Sequence, residues 1–306
     1  MKGLVIKSTG SWYRVIVSDE TCYECRIKGK LRLNNSRSTN PVTVGDTVDF
    51  EIEEPNQGII TNIHKRKNYI IRKSVNLSKE SHIIAANIDR AFLVVTISQP
   101  KTLLSFIDRF LVSAEAYGIP ATLIFNKYDI YTEKDRTQLA EWENIYAKAG
   151  YSTLRLSCNT NLNCSILHSH IQNKISVVVG NSGVGKSTIL NTLFPNLNLK
   201  TQKISQLHKT GQHTTTFSEM FLLPESTYII DTPGIKSFGI LDVEKHELHH
   251  FFPEIFSASE NCKFYNCTHT HEPGCAVLSA VAEGNIAESR YLNYCQLFEE
   301  EESKHR

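Results

Sequence analysis

An apolar strand pattern, Ile175–Val179, runs straight into Gly180, Asn181, Ser182, Gly183, Val184, Gly185, Lys186 and Ser187, and a helical pattern opens at Lys186. The spacing is G-x-x-x-x-G-K-[ST], in the strand–loop–helix context that gives it a mechanism. Glycines let the backbone N–H groups of residues 181–186 turn toward phosphate, and the helix N-terminus adds partial positive charge. Lys186 is placed to reach the β- and γ-phosphates. Ser187, followed by Thr188 in the same first turn, offers Mg²⁺ a hydroxyl. A chain with this loop must build a parallel strand and a helix around it, and the loop specifies a nucleotide without saying which.

Two further motifs say more. Asp231-Thr-Pro-Gly234 closes a strand about fifty residues later, where an aspartate is the usual acidic partner of Mg²⁺. Asn126-Lys127-Tyr128-Asp129 also follows an apolar strand, so it belongs to the sheet edge where ligands of such folds bind. A carboxylate there accepts hydrogen bonds from both guanine N1–H and N2–H₂, which adenine does not offer, so Asp129 selects guanine. Ser157-Cys158 ends the next strand and suits a short loop supporting the base from the other side. In ordinary G proteins the phosphate loop comes first. Here the guanine motif starts 54 residues ahead of Gly180. A parallel sheet with its motifs at strand C-termini keeps its site under such a permutation when the old ends can be joined. The permutation also connects the segment after Asp231, which feels the γ-phosphate, directly to the C-terminal region.

Between the phosphate loop and Asp231 lies Gly211-Gln212-His213-Thr214-Thr215-Thr216, where a switch loop supplies a threonine to Mg²⁺ and the γ-phosphate. Thr214, Thr215 and Thr216 are all candidates and the sequence does not choose among them; Thr215 stands for them in the Mg²⁺ set with Ser187 and Asp231. After Gly234, where many GTPases carry a water-orienting glutamine, stands Ile235, which cannot orient water. His213 is the in-chain candidate for that role; a partner is the other source. Slow intrinsic turnover with stimulation by a partner follows.

The remaining chain divides around this nucleotide domain. Leu4–Lys7, Tyr13–Val17, Cys22–Ile27, Thr47–Ile52 and Gly58–Ile63 read as five short strands, suiting a small oligonucleotide-binding (OB) type barrel. Up to Val75 the chain has 13 Lys and Arg against 8 Asp and Glu. Trp12, Tyr13 and Tyr23 offer RNA stacking faces, although aromatics in a small barrel are more often core. Lys65-Arg66-Lys67 and Arg72-Lys73 read as a basic linker. From Ala91 strands alternate with helices, as in a parallel sheet.

No apolar stretch is long enough for a membrane span. The start lacks a signal peptide, so a cytoplasmic protein is expected, and with it no disulfide framework for the eight cysteines. Cys262-x₄-Cys267-x-His269-x₅-Cys275 instead gathers four soft or borderline ligands within 14 residues. Three thiolates and an imidazole suit tetrahedral Zn²⁺ with no open position, hence a structural site; His271 competes with His269. Cys22, Cys25, Cys158, Cys164 and Cys295 read as ordinary core.

The order of these motifs closely resembles that of the bacterial ribosome small-subunit-dependent GTPase A family (RsgA, also YjeQ). Tyr23-x-Cys25-x-x-Lys-Gly-Lys-x-Arg32, Val44-Gly-Asp46 and Ala85-Ala-Asn-Ile-Asp89 extend the likeness to the N-terminal half. The resemblance implies a multidomain α/β chain: an N-terminal OB-type β-barrel over 1–72, a circularly permuted P-loop GTPase domain over 73–240, and a C-terminal helical zinc-binding domain over 241–306. It implies a GTP phosphohydrolase acting late in small-subunit assembly, contacting rRNA through the outer domains, stimulated by the subunit and released on hydrolysis. Gln212 departs from the family, standing where an arginine is common. The alternative is a GTPase switch for another RNA or protein partner. A monomer is expected.

Overall fold

The computed structural model describes residues 1–29, 41–73, 81–195, 219–231 and 243–304. These form two compact units. The first draws on 1–91, 164–179 and 186–231; the second on 92–163, 180–185 and 243–304.

In the first unit, β1 (Lys2–Ser8), β2 (Tyr13–Ile16), β3 (Cys22–Ile27), β4 (Thr47–Glu54) and β5 (Gln57–Ile63) follow the order β1-β2-β3-β5-β4. Pairing of β1 with β4 (Gly3 opposite Val48) closes the barrel, and β3–β5 is its one parallel pair. Period-two alternation turns Val5, Val15, Cys25, Val48, Phe50 and Ile60 into one apolar interior. Tyr13 is buried in the core, and Tyr23, partly buried, packs against it with its ring centroid 5.1 Å from that of Phe50. Trp12 stays half-exposed beneath Arg26, whose guanidinium carbon lies 4.0 Å from the ring centroid. Cys25 is core as expected, but Cys22 is exposed because it sits on the outward side of the same strand.

The segment expected to be a basic linker is instead built into the fold. Tyr69-Ile70-Ile71 begins β6 (Tyr69–Lys73), which pairs antiparallel with β7 (Ser81–Ala86). Arg66 closes a bidentate ion pair at 2.7 Å on Asp46, whose carboxylate is fully buried and also accepts from Thr43 N. Backbone bonds from Ala86 N to Val44 O and from Thr43 Oγ1 to Ile83 O join β7 to the barrel's β4 approach. Also in this unit, β11 (Ile175–Val179) runs parallel to β13 (Thr227–Asp231), and β12 (Glu219–Leu223) pairs antiparallel with β13.

In the second unit β9 (Ala121–Phe125) lies between β8 (Arg90–Val95) and β10 (Ser152–Arg155), parallel to β10. Helix α1 (Leu104–Ala116) follows β8; α2 (Glu133–Lys148) follows β9 and opens with a Thr132–Asp135 capping box. Helices α3 (Cys164–Ile171) and α4 (Lys186–Leu193) belong to the first unit. The C-terminal part of the second unit holds α5 (Pro253–Ser259), α6 (Ala276–Ala282) and α7 (Glu288–Lys304). Val112 of α1 joins Phe252, Ile255, Val277, Ile286 and Tyr294 in one apolar cluster. No described helix is long and apolar enough to cross a membrane.

Candidate functional site

The guanine motif and the phosphate loop meet in the second unit. Asn126 stands at the C-terminal end of β9, and its Nδ2 donates to Val184 O in the phosphate loop at 2.8 Å. The fit leaves no room for side chains. A Cβ on Gly185 (φ +100°) falls 2.4 Å from Asn126 Nδ2, and one on Gly180 (φ +147°) falls 2.3 Å from Val94 O. Asn126 Oδ1 is buried without a hydrogen bond among the described residues, an acceptor left over beside the loop.

The loop ahead of α1 ties into the same place. Lys127, in the left-handed conformation (φ +62°), donates from Nζ to Gln99 O at 2.8 Å. Tyr131 accepts from Ile97 N at 3.0 Å and donates to Asn126 O at 2.8 Å. Burial pushes the Tyr131 phenol up to about 12, so it keeps the proton this arrangement needs.

Asp129 lies on the short 3-10 turn Tyr128–Ile130. The Ser157 hydroxyl donates to Oδ1 at 2.6 Å, and Asn159 Nδ2 donates to Oδ2 at 2.9 Å. Ser157, fully buried, holds the Asp129 carboxyl below the usual carboxylate range, against a smaller opposing effect of burial and with Asn159 assisting. The carboxylate is thus ionised and fixed in rotation, and each oxygen keeps lone pairs for a ligand.

The other nucleotide residues are placed by chain connection. Lys186, Ser187 and Thr188 open α4 directly after the loop 180–185. Asp231 ends β13, one residue beyond Ile230, which pairs with Val177 of the strand feeding the phosphate loop. Gln212, His213, Thr214, Thr215, Thr216, Gly234 and Ile235 lie outside the described residues.

Cys262, Cys267, His269 and Cys275 converge, each offering one ligand atom, all within 4.8 Å of one another. Three separations test the fit. Cys262 Sγ to His269 Nδ1 is 3.6 Å, Cys275 Sγ to His269 Nδ1 is 3.5 Å, and Cys262 Sγ to Cys275 Sγ is 3.9 Å. Metal bonds of about 2.3 Å to sulfur and 2.0–2.1 Å to nitrogen require edges of about 3.5–3.8 Å in a tetrahedron. The cluster fits a metal ion, with Nδ1 as the histidine ligand atom. Burial pushes the Cys267 thiol up to about 12, so a cation is what converts it to thiolate. His271 is exposed and bonds Thr270 Oγ1 at 2.8 Å, apart from the cluster. Tyr291 and Tyr294 brace the loop, donating to His269 O and Thr268 O at 2.9 Å each.

A buried ionic network joins α1 to this metal-binding part of the chain. Arg290 donates from Nη1 to Asp108 at 2.9 Å and from Nε and Nη2 to Glu254 at 2.6 and 3.0 Å. Tyr146 adds a 2.9 Å bond to Asp108 Oδ1, and Asn293 donates to Oδ2. Burial works against the Arg290 charge, but the two carboxylates more than offset it and keep the guanidinium charged. Nearer the surface Arg109 grips Glu300 at 2.6 and 2.8 Å. The loop bonded to the guanine-motif segment is therefore followed by a helix bolted to α5 and α7.

Asn159, Tyr131, Gln99 and the Asp108–Arg290–Glu254 set are absent from the sequence-based site. Asn159, two residues past Ser157, was within reach of that reading. The others act through backbone atoms or across long separations and have no local signature.

The class of protein follows: a GTPase whose guanine motif precedes its phosphate loop. The fold matches a crystal structure described as YloQ, a circularly permuted GTPase, with TM-score 0.76 and 29% identity over 99% of this chain and 95% of that one. It matches YjeQ from Thermotoga maritima with TM-score 0.80 and 34% identity over 98% of each chain. Residues 63–241 match the RsgA GTPase family profile and residues 2–60 that of the RsgA N-terminal domain. The chain belongs to the RsgA GTPase family, and it is a GTP hydrolase. A relative from Bacteroides fragilis, named small ribosomal subunit biogenesis GTPase RsgA, is 52% identical over 307 residues, covering 100% of this chain and 99% of its own.

Proposed function

We propose that the protein is a GTP-driven timer in late assembly of the small ribosomal subunit: bound to it with GTP, released with GDP. The observation that carries the nucleotide part of this reading is the Asn126–Val184 bond, which ties the base motif to the phosphate loop beside Asp129, whose carboxyl is held below the usual range. The names of the relatives support the partner. Asn126, Lys127, Asp129 and Ser157 bind the base; Asn181, Ser182 and Gly183 through Lys186 and Thr188 bind the phosphates. Ser187, Asp231 and a switch-loop threonine, Thr215 among the candidates, would hold Mg²⁺, which would supply positive charge to the phosphate oxygens. Lys186 stabilises charge on the transferred group. Thr214, Thr215 and Thr216 are the candidates to contact the γ-phosphate, Gly234 is assigned to the nucleotide site, and His213 or a group from the subunit is the candidate to orient water.

The working divisions are 1–72, 73–240 and 241–306. The barrel and the zinc-binding part face rRNA, and Zn²⁺ at Cys262, Cys267, His269 and Cys275 is structural, since four protein ligands leave no position open. The protein acts in the cytoplasm as a monomer. Co-sedimentation with purified small subunits, at fixed salt, tests the reading. Tight binding with a non-hydrolysable GTP analogue and at least tenfold weaker binding with GDP is the expected result. Equal or absent binding in both states contradicts it.

A further inference from the structure

Between two of the metal-cluster cysteines the chain carries Lys263-Phe264-Tyr265-Asn266, all exposed. Tyr265 is 103% exposed, more than any other large hydrophobic side chain among those described, and Phe264 beside it is 42% exposed. These rings contribute nothing to the C-terminal apolar core, which is built from other residues. Their backbone is nevertheless fixed. It starts and ends at Cys262 and Cys267, Lys263 N donates to Gly274 O at 3.3 Å, and Cys267 N to Phe264 O at 3.3 Å. A side chain held this far into solvent on a rigid base is pre-organised, so little ordering entropy is lost on contact.

The charge around the rings is one-sided. From Asn261 to Cys275 the only carboxylate is Glu272. It is turned into its own loop, accepting from Thr268 N at 2.6 Å, Thr268 Oγ1 at 2.5 Å, Thr270 N at 3.1 Å and His271 N at 3.2 Å. Lys263 is exposed beside the rings, with its Nζ 5.5 Å from the Phe264 ring centroid, and the nearest exposed carboxylate in sequence is Glu260, ahead of Cys262. Exposed Asn261, Asn266 and His271 add hydrogen-bonding groups.

We infer that Tyr265 and Phe264 form a stacking platform for an unpaired RNA base, with Lys263 facing the adjoining phosphate. Every base has a π face, and aromatic side chains with a cation beside them receive bases and the adjoining phosphate. The amide and imidazole groups of Asn261, Asn266 and His271 beside the rings can meet the hydrogen-bonding edge of a base. The proposal rests on the subunit reading for the source of the RNA.

The test uses the full-length chain in two arms. In the first, affinity for purified small subunits is measured with a non-hydrolysable GTP analogue bound. Tyr265→Ala weakens it about 5- to 150-fold, the range a stacked base supplies, while Tyr265→Trp stays within about twofold of wild type. Metal content and subunit-free GTP hydrolysis remain those of wild type. A photoreactive benzoylphenylalanine at position 265 cross-links to rRNA. Wild-type affinity in Tyr265→Ala, or a cross-link to protein alone, overturns the proposal while leaving the subunit reading intact. In the second arm a labelled single-stranded RNA oligonucleotide is titrated against wild type and Tyr265→Ala. If wild type fails to bind subunits, the subunit reading falls, and this arm decides the platform by itself. Equal RNA affinity for the two proteins overturns it.

Discussion

Replacing Arg290 by methionine tests whether α1 and the metal-binding helices form one body. The guanidinium and its partner Asp108 are each 1% exposed and Glu254 is 8% exposed, so the substitution leaves a buried carboxylate pair without its cation. Removing one member of a buried ion pair costs about 3–5 kcal/mol, because the survivor's desolvation is no longer compensated. The methionine retains some packing against Phe252, whose ring centroid lies 4.6 Å from the guanidinium carbon, so truncation adds little. With an m-value on the order of 2 kcal/mol/M in urea, the unfolding midpoint falls by about 1.5–2.5 M. The assay is built in. The chain has two tryptophans, Trp12 on the barrel and Trp142 buried in α2, so a Trp12→Phe background leaves Trp142 reporting the second unit alone. Adding Asp108→Asn to Arg290→Met removes one of the stranded charges and restores part of the loss. A midpoint shift worth less than about 1 kcal/mol, or a further loss on adding Asp108→Asn, refutes the uncompensated-charge argument.

Three further outcomes follow from the site. Asp129→Asn lowers GTP affinity at least about 100-fold, since two charge-assisted hydrogen bonds to guanine are lost; isothermal titration with GTP and xanthosine triphosphate checks it, the latter gaining as the former falls. The ratio of GTP to ATP affinity stays flat between about pH 8 and pH 5. Ser157 depresses the Asp129 carboxyl, so its contribution is lost only as pH falls through a folded value below the ordinary one, and phosphate protonation cancels in the ratio. A ratio that decays toward pH 5 contradicts that reading of Asp129. Elemental analysis finds one zinc per chain, and stripping it with a chelator lowers the Trp142-reported midpoint; an unchanged midpoint means the cluster holds no structural metal.

Much of this architecture was legible because its signals are local. The five barrel strands announce themselves by alternation and by turns such as Thr9–Trp12, where Thr9 N bonds Trp12 O at 3.0 Å. The phosphate loop, guanine motif and cysteine cluster are short runs whose residue types and spacing carry their chemistry. The β6–β7 pairing was hidden because Lys65–Lys67, Arg72 and Lys73 make the segment look like a solvated linker. In the structure Arg66 instead neutralises a buried Asp46, and the Ile70–Ile71 stretch pairs with β7. The Asp108–Arg290 contact spans 182 residues, and no periodicity in either helix marks it. The Lys127–Gln99 and Asn126–Val184 bonds end on backbone carbonyls, one in the loop after β8 and one in the loop after β11, whose positions depend on how those strands deliver their loops rather than on side-chain identity.

The central claim is tested most directly by GTP and ATP hydrolysis, each measured with and without purified small ribosomal subunits at fixed salt. The account predicts slow GTP turnover that rises steeply with subunits, no ATP turnover, and loss of both basal and stimulated activity in Lys186→Ala. GTP turnover indifferent to subunits contradicts the ribosomal role, and comparable ATP turnover contradicts the reading of Asp129 as the residue that selects the base.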